Sequence, residues 1–461
     1  MVMAILQMHK IKLKEFTDLD LGDVRRNERF VTIIDNVINH PGHSIQEQNE
    51  SWYGAKATYE FFKNEEISLE KLQLAIHTYG AANVPDDLDC VLILHDTSNI
   101  SYNGLQAEGL GYLDHGYGKG LLLHTSMVAS TTGTPLALLY QQIWARKDSE
   151  KGKTKDRQKK LIEEKESYKW IKGIEESNKI LSATTKVHIA DREADIYELF
   201  FMPPEANAEL LIRACRSRRT TASASLWEEI SNLPLAASIV LQIPNETGHK
   251  KESKTVEVRY QKIELLRPKH SKSSYESVWL TAIEVREPEI EDEERGIWWK
   301  LLTTLEVKDV EDVKLYILWY TYRWLIERFH YVLKSGCKIE ALQLKQAESL
   351  KKAVVMYSLA GFKIMQLTYQ SRETPQVSCE VVLSKNEWEA LYIRIHKTGT
   401  LPTIPPTLEQ AAKWIGRLGG HLGRKSDGPP GLKTIWRGYQ RLRDFTDLYV
   451  LIKNEKNLGN D

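Results

Sequence analysis

Apolar residues recur at intervals of three and four through Phe30, Ile33, Ile34, Val37 and Ile38, the stripe of a helix with one buried face. The same spacing predicts a second helix around Trp52–Phe62. A third opens at Ser68, where Ser68-x-x-Lys71 gives a helix start without a capping box. Residues 1 to about 80 therefore read as helical. The pattern changes after Pro85–Asp86–Asp87. Cys90–Val91–Leu92–Ile93–Leu94 is a continuous apolar run, as in a strand buried on both faces, and it ends at His95–Asp96–Thr97–Ser98. Strands follow at Leu121–Ser130 and Pro135–Trp144, joined by a Thr-Thr-Gly-Thr turn. A lysine- and glutamate-rich stretch from Arg146 becomes helical towards Asn178. Next come a short buried strand, Val187–Ala190, ending at Asp191, and a fifth strand at Glu209–Ala214. This order predicts an α/β unit with a mixed sheet.

From about 222 to 305 the pattern is that of strands, at Ser238–Ile243, Thr255–Leu266, Val278–Arg286 and Trp298–Leu305, which predicts a β-rich insertion. Beyond it, the stretch from Tyr320 to Lys334 reads as one amphipathic helix. At about 100° per residue, Tyr320, Arg323, Glu327, His330 and Lys334 share an arc of roughly 80°. Leu325, Ile326, Phe329, Val332 and Leu333 fill the other side. The chain is helical again through 343–370, breaks at Pro402, Pro405 and Pro406, and ends in a helical segment from Leu408 to Lys453 interrupted by Gly419–Gly420 and Gly428–Gly431. The expected domains are 1–80, helical; 81–340, an α/β core holding the insertion; and 341–461, helical.

Hydrophobic content of 42% and charged content of 27% in 461 residues describe a soluble globular chain of two or three domains. Cys90, Cys215, Cys337 and Cys379 are widely separated, which argues against a zinc cluster and suits a reducing cytosol. No run approaches the roughly 18–20 apolar residues of a membrane span, so no membrane partner is expected. The 63 basic residues are balanced by 63 acidic ones. If the chain binds nucleic acid, its positive charge must be gathered into patches. Arg213–Arg219, His249–Lys254 and Arg267–Lys272 are such windows, and Glu287–Glu294 is an acidic one. Arg25, Arg26 and Arg29, at the opening of the first helix, could grip phosphates or simply be a solvated helix end.

Two aspartates, Asp96 and Asp191, each follow a short apolar strand, and sites in open α/β sheets form outside strand ends. With Glu327 from a helix packed on the same sheet, three carboxylates could converge. Such oxygen ligands suit Mg²⁺ or Mn²⁺, and a pair of those ions roughly 3.5–4 Å apart can activate a water or a 3′-hydroxyl for phosphodiester chemistry. Arg323 and Lys334 would hold phosphates. Asp96 and Asp191 could instead cap turns, and Glu193 or Asp195 could be the ligand in place of Asp191.

The spacing Tyr320-x-x-Arg323-x-x-x-Glu327-x-x-x-x-x-x-Lys334 resembles the Y-R-E-K signature of the DDE transposases of insertion-sequence family four, the group of the Tn-five transposase. Leu21–Gly22–Asp23 with Arg25–Arg26, His95–Asp96–Thr97–Ser98, Asp191–Arg192–Glu193–Ala194–Asp195, Trp299-x-Leu301–Leu302–Thr303 and Arg417–Leu418–Gly419–Gly420 fall in that family's order. The resemblance covers nearly the whole chain. It implies an RNase H-like catalytic core with the β-rich insertion, an N-terminal helical domain that binds transposon ends, and a C-terminal helical dimerisation region. It implies Asp96, Asp191 and Glu327 as ligands of two Mg²⁺ ions, with Mn²⁺ as a substitute, and Tyr320, Arg323 and Lys334 as phosphate contacts. Trp299 matches the tryptophan that stacks on a flipped base in similar proteins, with Trp298 beside it. His330 lies on the same face but outside the signature.

The function so implied is cut-and-paste transposition in a bacterial cytosol, by a homodimer acting on double-stranded transposon ends and target DNA. A catalytically silent DNA-binding repressor or domesticated relative is the alternative, and the intact carboxylates and N-terminal arginines argue against it.

Overall fold

The computed structural model describes residues 13–16, 19–49, 51–113, 118–147, 160–181, 185–201, 207–221, 225–244, 251–269, 271, 273–290, 292, 295–424 and 427–458. Three helices open it: α1 (Val24–Asn39), α2 (Trp52–Lys63) and α3 (Leu69–Ala81). Each begins at an N-cap side chain, Asp23, Ser51 or Ser68, that accepts a backbone N–H of the first turn. The buried face of α1 is Phe30, Ile33, Ile34, Val37 and Ile38, as its spacing predicts.

The sheet is built from β1 (Cys90–Ser101), β2 (Gly111–Tyr112), β3 (Lys119–Ala129), β4 (Pro135–Trp144), then, after α4 (Tyr168–Ile180), β5 (Thr185–Ala190) and β6 (Ala208–Arg213). β4, β3 and β1 are antiparallel, while β1, β5 and β6 run parallel. A mixed sheet is thus the core. After α5 (Leu226–Ser231), the strands β7 (Ala237–Pro244), β8 (Lys251–Leu266), β9 (Ser277–Arg286) and β10 (Trp298–Thr303) form an antiparallel run. β10 pairs with β6, so these strands extend the core sheet instead of closing a sheet of their own.

The first departure from the sequence pattern is the length of β1. Its apolar run stops at Leu94, but the strand continues to Ser101. Parallel pairing with β5 ends at Leu94, whereas antiparallel pairing with β3 persists to Ser101 opposite Gly120. Once β5 has left, one edge of β1 is open, and polar residues are tolerated there. Asp96 therefore lies within a strand, not in a turn after one.

The second departure is the helix expected from Tyr320 to Lys334. It is two helices, α6 (Val310–Thr321) and α7 (Trp324–Tyr331), followed by a π-helical turn at Val332–Gly336. At the junction Tyr322, Arg323, Leu325 and Ile326 donate to carbonyls three residues back, a tightening that turns the chain without leaving helical backbone angles. In the π turn, Cys337 N–H reaches back five residues to Val332 O.

The remainder is helical: α8 (Ala347–Glu373), α9 (Lys385–His396), α10 (Leu408–Leu418) and α11 (Leu432–Leu458). α8 is buried along almost its whole length. Ser349 Oγ and Lys352 Nζ donate to Phe62 O and Asn64 O at the end of α2, Tyr357 donates to Gln48, and Gln366 Nε2 donates to Leu136 O on β4. It therefore ties the N-terminal helices to the sheet. Its apolar residues join Leu92, Leu94, Leu123 and Phe329 in the larger core. On the opposite face of the sheet, Trp170 of α4 and Trp227 of α5 pack with Leu210 and Ile212 of β6 in a second core. α9, α10 and α11 share a core of their own with Leu367.

Candidate active site

Strand alternation sets the site. β1 and β5 are in register with Leu94 opposite Ile189, and carrying that register two residues further brings Asp96 level with Asp191. Asp96 points to the side covered by α7, where its carboxylate stands 3.3 Å from His330 Nδ1. Its neighbours His95 and Thr97 point to the other side, towards His188 and His124. Asp191 caps a 3₁₀ turn (Arg192–Ala194), accepting Glu193 N–H at 3.0 Å. Burial, and then the negative charge of Asp96, hold the Asp191 carboxyl above its ordinary range. Two carboxylates forced together are a place where a cation is favoured.

The cation found there is Arg323. Its Nη2 donates to Glu327 Oε1 at 2.6 Å, with the side chain 15% exposed. Its positive charge also acts on Asp96 and Asp191, so all three carboxylates interact with one side chain. Tyr320 is buried beside it, and burial raises its phenol pKa. Lys334 sits in the π turn. Burial lowers its ammonium pKa, opposed by Glu340 and Asp96. Glu340 in turn accepts the Ser101 N–H at 2.7 Å, at the end of β1.

The expected residues are thus gathered at the β1–β5 edge under α7, but they do not close around a common point. Among the described residues no three carboxylate, histidine or cysteine side chains are placed to hold a metal ion, and Glu327 is engaged by Arg323. The donor chemistry nevertheless fits a hard divalent cation, because the Asp96–Asp191 repulsion is what such an ion relieves.

The alternatives to Asp191 find other roles. Asp195 is buried, accepts Cys215 N–H and Arg216 N–H at 2.9 and 3.0 Å, and pairs with Arg218. Its lone pairs are used, and Arg218 is removed from the basic window read at 213–219. Glu193 faces outward and pairs with Lys169 at 3.0 Å. Parts of the other charged windows, at 249–250, 270, 272, 291 and 293–294, lie outside the described residues.

On β10 the two tryptophans face opposite ways. Trp299 meets Tyr320 edge to face, ring centroids 5.1 Å apart. Trp298 donates through Nε1 to the buried Glu284 and lies between Arg286 and Lys300, whose charges stand 4.2 and 4.5 Å from its ring. Of the two, Trp299 is the one packed on Tyr320. In the N-terminal helices Arg25 is 88% exposed and paired with Asp23, whereas Arg26 is bound to Glu66 and to Leu21 O.

Behind Asp96 lies a buried histidine chain that the sequence reading missed. Asn178 Oδ1 accepts from His188 Nε2, which leaves His188 Nδ1 to accept from His95 Nε2 at 2.8 Å, and His95 Nδ1 to accept from the Ser126 hydroxyl at 3.0 Å. Burial pulls His95 down to about 3 and His188 well below its usual value, so both rings are neutral. Histidines set inside apolar strand runs, as in Val187–His188–Ile189, were the available signal.

Residues 10–67 match the transposase DNA-binding family, and residues 359–453 match the Tn5 transposase dimerisation domain. The chain is a DNA transposase. More particularly it is Tn5-like, carrying a transposase DNA-binding module near one end and a Tn5-type dimerisation domain near the other, and its partners are DNA and a second copy of itself. A cryo-EM structure of a piggyBac transposase synaptic complex with hairpin DNA aligns over 81% of this chain and 76% of its own, at 9% identity and a TM-score of 0.38, a level from which no shared fold follows. No helix among the described residues is long and apolar enough to cross a membrane.

Proposed function

We propose that this transposase is a DDE enzyme with an RNase H-like core, in which Asp96, Asp191 and Glu327 bind Mg²⁺, or Mn²⁺ in its place, and cut the ends of a transposon. The observation that carries the reading is that Arg323 bonds Glu327 while its charge acts on both Asp96 and Asp191, with Asp191 held above its ordinary pKa partly by Asp96. The antiparallel β4–β3–β1 arm joined to parallel β5 and β6 supports the core assignment.

Bound divalent ions would supply activation of the attacking oxygen and neutralisation of the leaving one. The chain's own residues then have separate tasks. Asp96 on β1 and Asp191 just past the end of β5 offer oxygens side by side, and Glu327 offers a third once Arg323 turns from it to a phosphate. Tyr320 and Lys334 hold the DNA backbone beside the scissile bond. Trp299 receives a base drawn out of the duplex as the strand bends into a hairpin, a role that its packing on Tyr320 supports. Water attacks first to nick one strand. The freed 3′-hydroxyl attacks the other strand to form a hairpin, which is opened before transfer to the target.

The Arg323–Glu327 pair also suits the second reading, a protein that binds ends without cutting them, because it keeps the third carboxylate occupied. Denaturing gels of DNA carrying the element's own inverted repeats separate the two. Nicked and hairpin products in Mg²⁺ are expected, lost in Asp96→Ala, Asp191→Ala and Glu327→Ala. End binding with no product in Mg²⁺ or Mn²⁺ supports the silent protein, and cleavage that survives these substitutions refutes the triad.

A further inference from the structure

Beside Asp96 stands a buried imidazole that the proposed chemistry leaves unused. His330 lies one turn after Glu327 on α7 and is 5% exposed. Its Nδ1 is 3.3 Å from Asp96 Oδ2, and its Nε2 is 3.2 Å from Thr125 Oγ1. Thr125 is the residue directly opposite Asp96 on β3. A single ring therefore joins the strand carrying one carboxylate, its neighbouring strand and the helix carrying another.

The hydrogen-bond inventory restricts how the ring can be used. A carboxylate only accepts, so favourable contact with Asp96 needs the proton on Nδ1. In a neutral ring Nε2 then accepts from the Thr125 hydroxyl, which is free to rotate. Nδ1 makes no aligned hydrogen bond as it stands, but the terminal torsion of an aspartate is broad and soft, so the carboxylate can turn into line.

We propose that His330 is a positioning residue, holding one oxygen of Asp96 through Nδ1–H so that the other is presented to a divalent cation. This rests on the reading of Asp96 as a metal ligand. Carboxylates that bind metals are themselves oriented by hydrogen bonds, and removing such a support typically weakens metal affinity or activity by about 10–100-fold. The opposing explanation is simple packing, since the ring also lies against Phe329.

Mn²⁺ binding to the full chain, followed by electron paramagnetic resonance of the free ion and paired with a thermal melt, separates these explanations without any DNA cleavage. His330→Ala is expected to weaken Mn²⁺ binding by about 10–100-fold. His330→Asn, whose amide nitrogen can take the place of Nδ1–H, should bind close to wild type. His330→Gln, which reaches instead towards the Nε2 position, should bind like His330→Ala. The Asn and Gln variants carry the test should His330→Ala melt early. The inference is overturned if all three variants bind Mn²⁺ like wild type, or if Asn and Gln lose affinity alike. Asp96→Ala distinguishes the levels. If it loses Mn²⁺ while the His330 variants do not, only the positioning role falls. If it binds like wild type, the metal-ligand reading falls and the positioning role with it.

Discussion

Asp191 and Asp195 lie within one short motif, yet their surroundings predict opposite responses to substitution. The Asp195 carboxylate is fully buried and holds Arg218 together with two backbone N–H groups. Removing one partner of such a pair strands the other charge, so Asp195→Ala should destabilise the protein by about 3–5 kcal/mol, visible as a lowered thermal midpoint. An unchanged midpoint would contradict the structural role. At Asp191 burial and Asp96 raise the carboxyl pKa. A raised folded-state pKa favours folding below the ordinary value of 3.8, and that contribution is lost as pH climbs through the raised value. At neutral pH the metal-free protein therefore carries an unfavourable charge, and Asp191→Asn, which can still cap the turn, should raise its midpoint while abolishing cleavage. A midpoint equal to or below wild type at neutral pH would count against this. Arg25 and Arg26 also divide. Arg25→Ala should weaken DNA binding for all sequences and lower the salt slope by about one, whereas Arg26→Ala should act mainly through loss of its bonds to Glu66 and Leu21. Equal salt slopes for Arg25→Ala and wild type would exclude a phosphate contact. Residue types and spacing singled out Asp96, Asp191 and Glu327. They could not separate Asp191 from Asp195, because only folding decides which one meets Arg218.

At the scale of elements, periodicity located helices well where one face is buried against one partner layer, as α1 shows. β4, packed on both faces, was located by its continuous apolar run. The pattern failed where pairing or backbone detail changes without a change in residue type. β1 runs on through His95–Ser101 because β3 still pairs with it after β5 has ended. The break between α6 and α7 keeps helical backbone angles, so nothing in the residue types announces it, and Ser335–Gly336 mark the end of the helical run without revealing its π form. The Arg323–Glu327 pair itself is an i,i+4 contact at the start of α7, and Lys334 follows it in the π turn. The alternation of β10 carries a further prediction. Trp299→Ala should slow hairpin formation while leaving the first nick, and Trp298→Ala should leave hairpin formation unaffected while disturbing the contacts with Glu284, Arg286 and Lys300. Quantified nick and hairpin bands for both variants check this, and a hairpin defect in Trp298→Ala alone would reverse the assignment.

Across the whole molecule, α8 joins the N-terminal helices, the sheet and the C-terminal helices, so the module that matches transposase DNA binding is tied through α8 to the sheet that carries the candidate site. One basic run and the acidic run also meet: Lys254 pairs with Glu287, the first residue of the acidic run, at 3.4 Å, which leaves less unbalanced charge there for indiscriminate contact with DNA. Weak nonspecific binding with a shallow salt dependence is expected, and a steep slope with tight nonspecific binding would contradict it. Shared divalent metal at Asp96, Asp191 and Glu327 is tested by anomalous diffraction at the manganese edge from crystals of the protein with an end DNA grown in Mn²⁺. Density bounded by these three carboxylates is expected, with Arg323 drawn away from Glu327; manganese at Glu193 or elsewhere, with none between Asp96 and Asp191, would rule the shared site out.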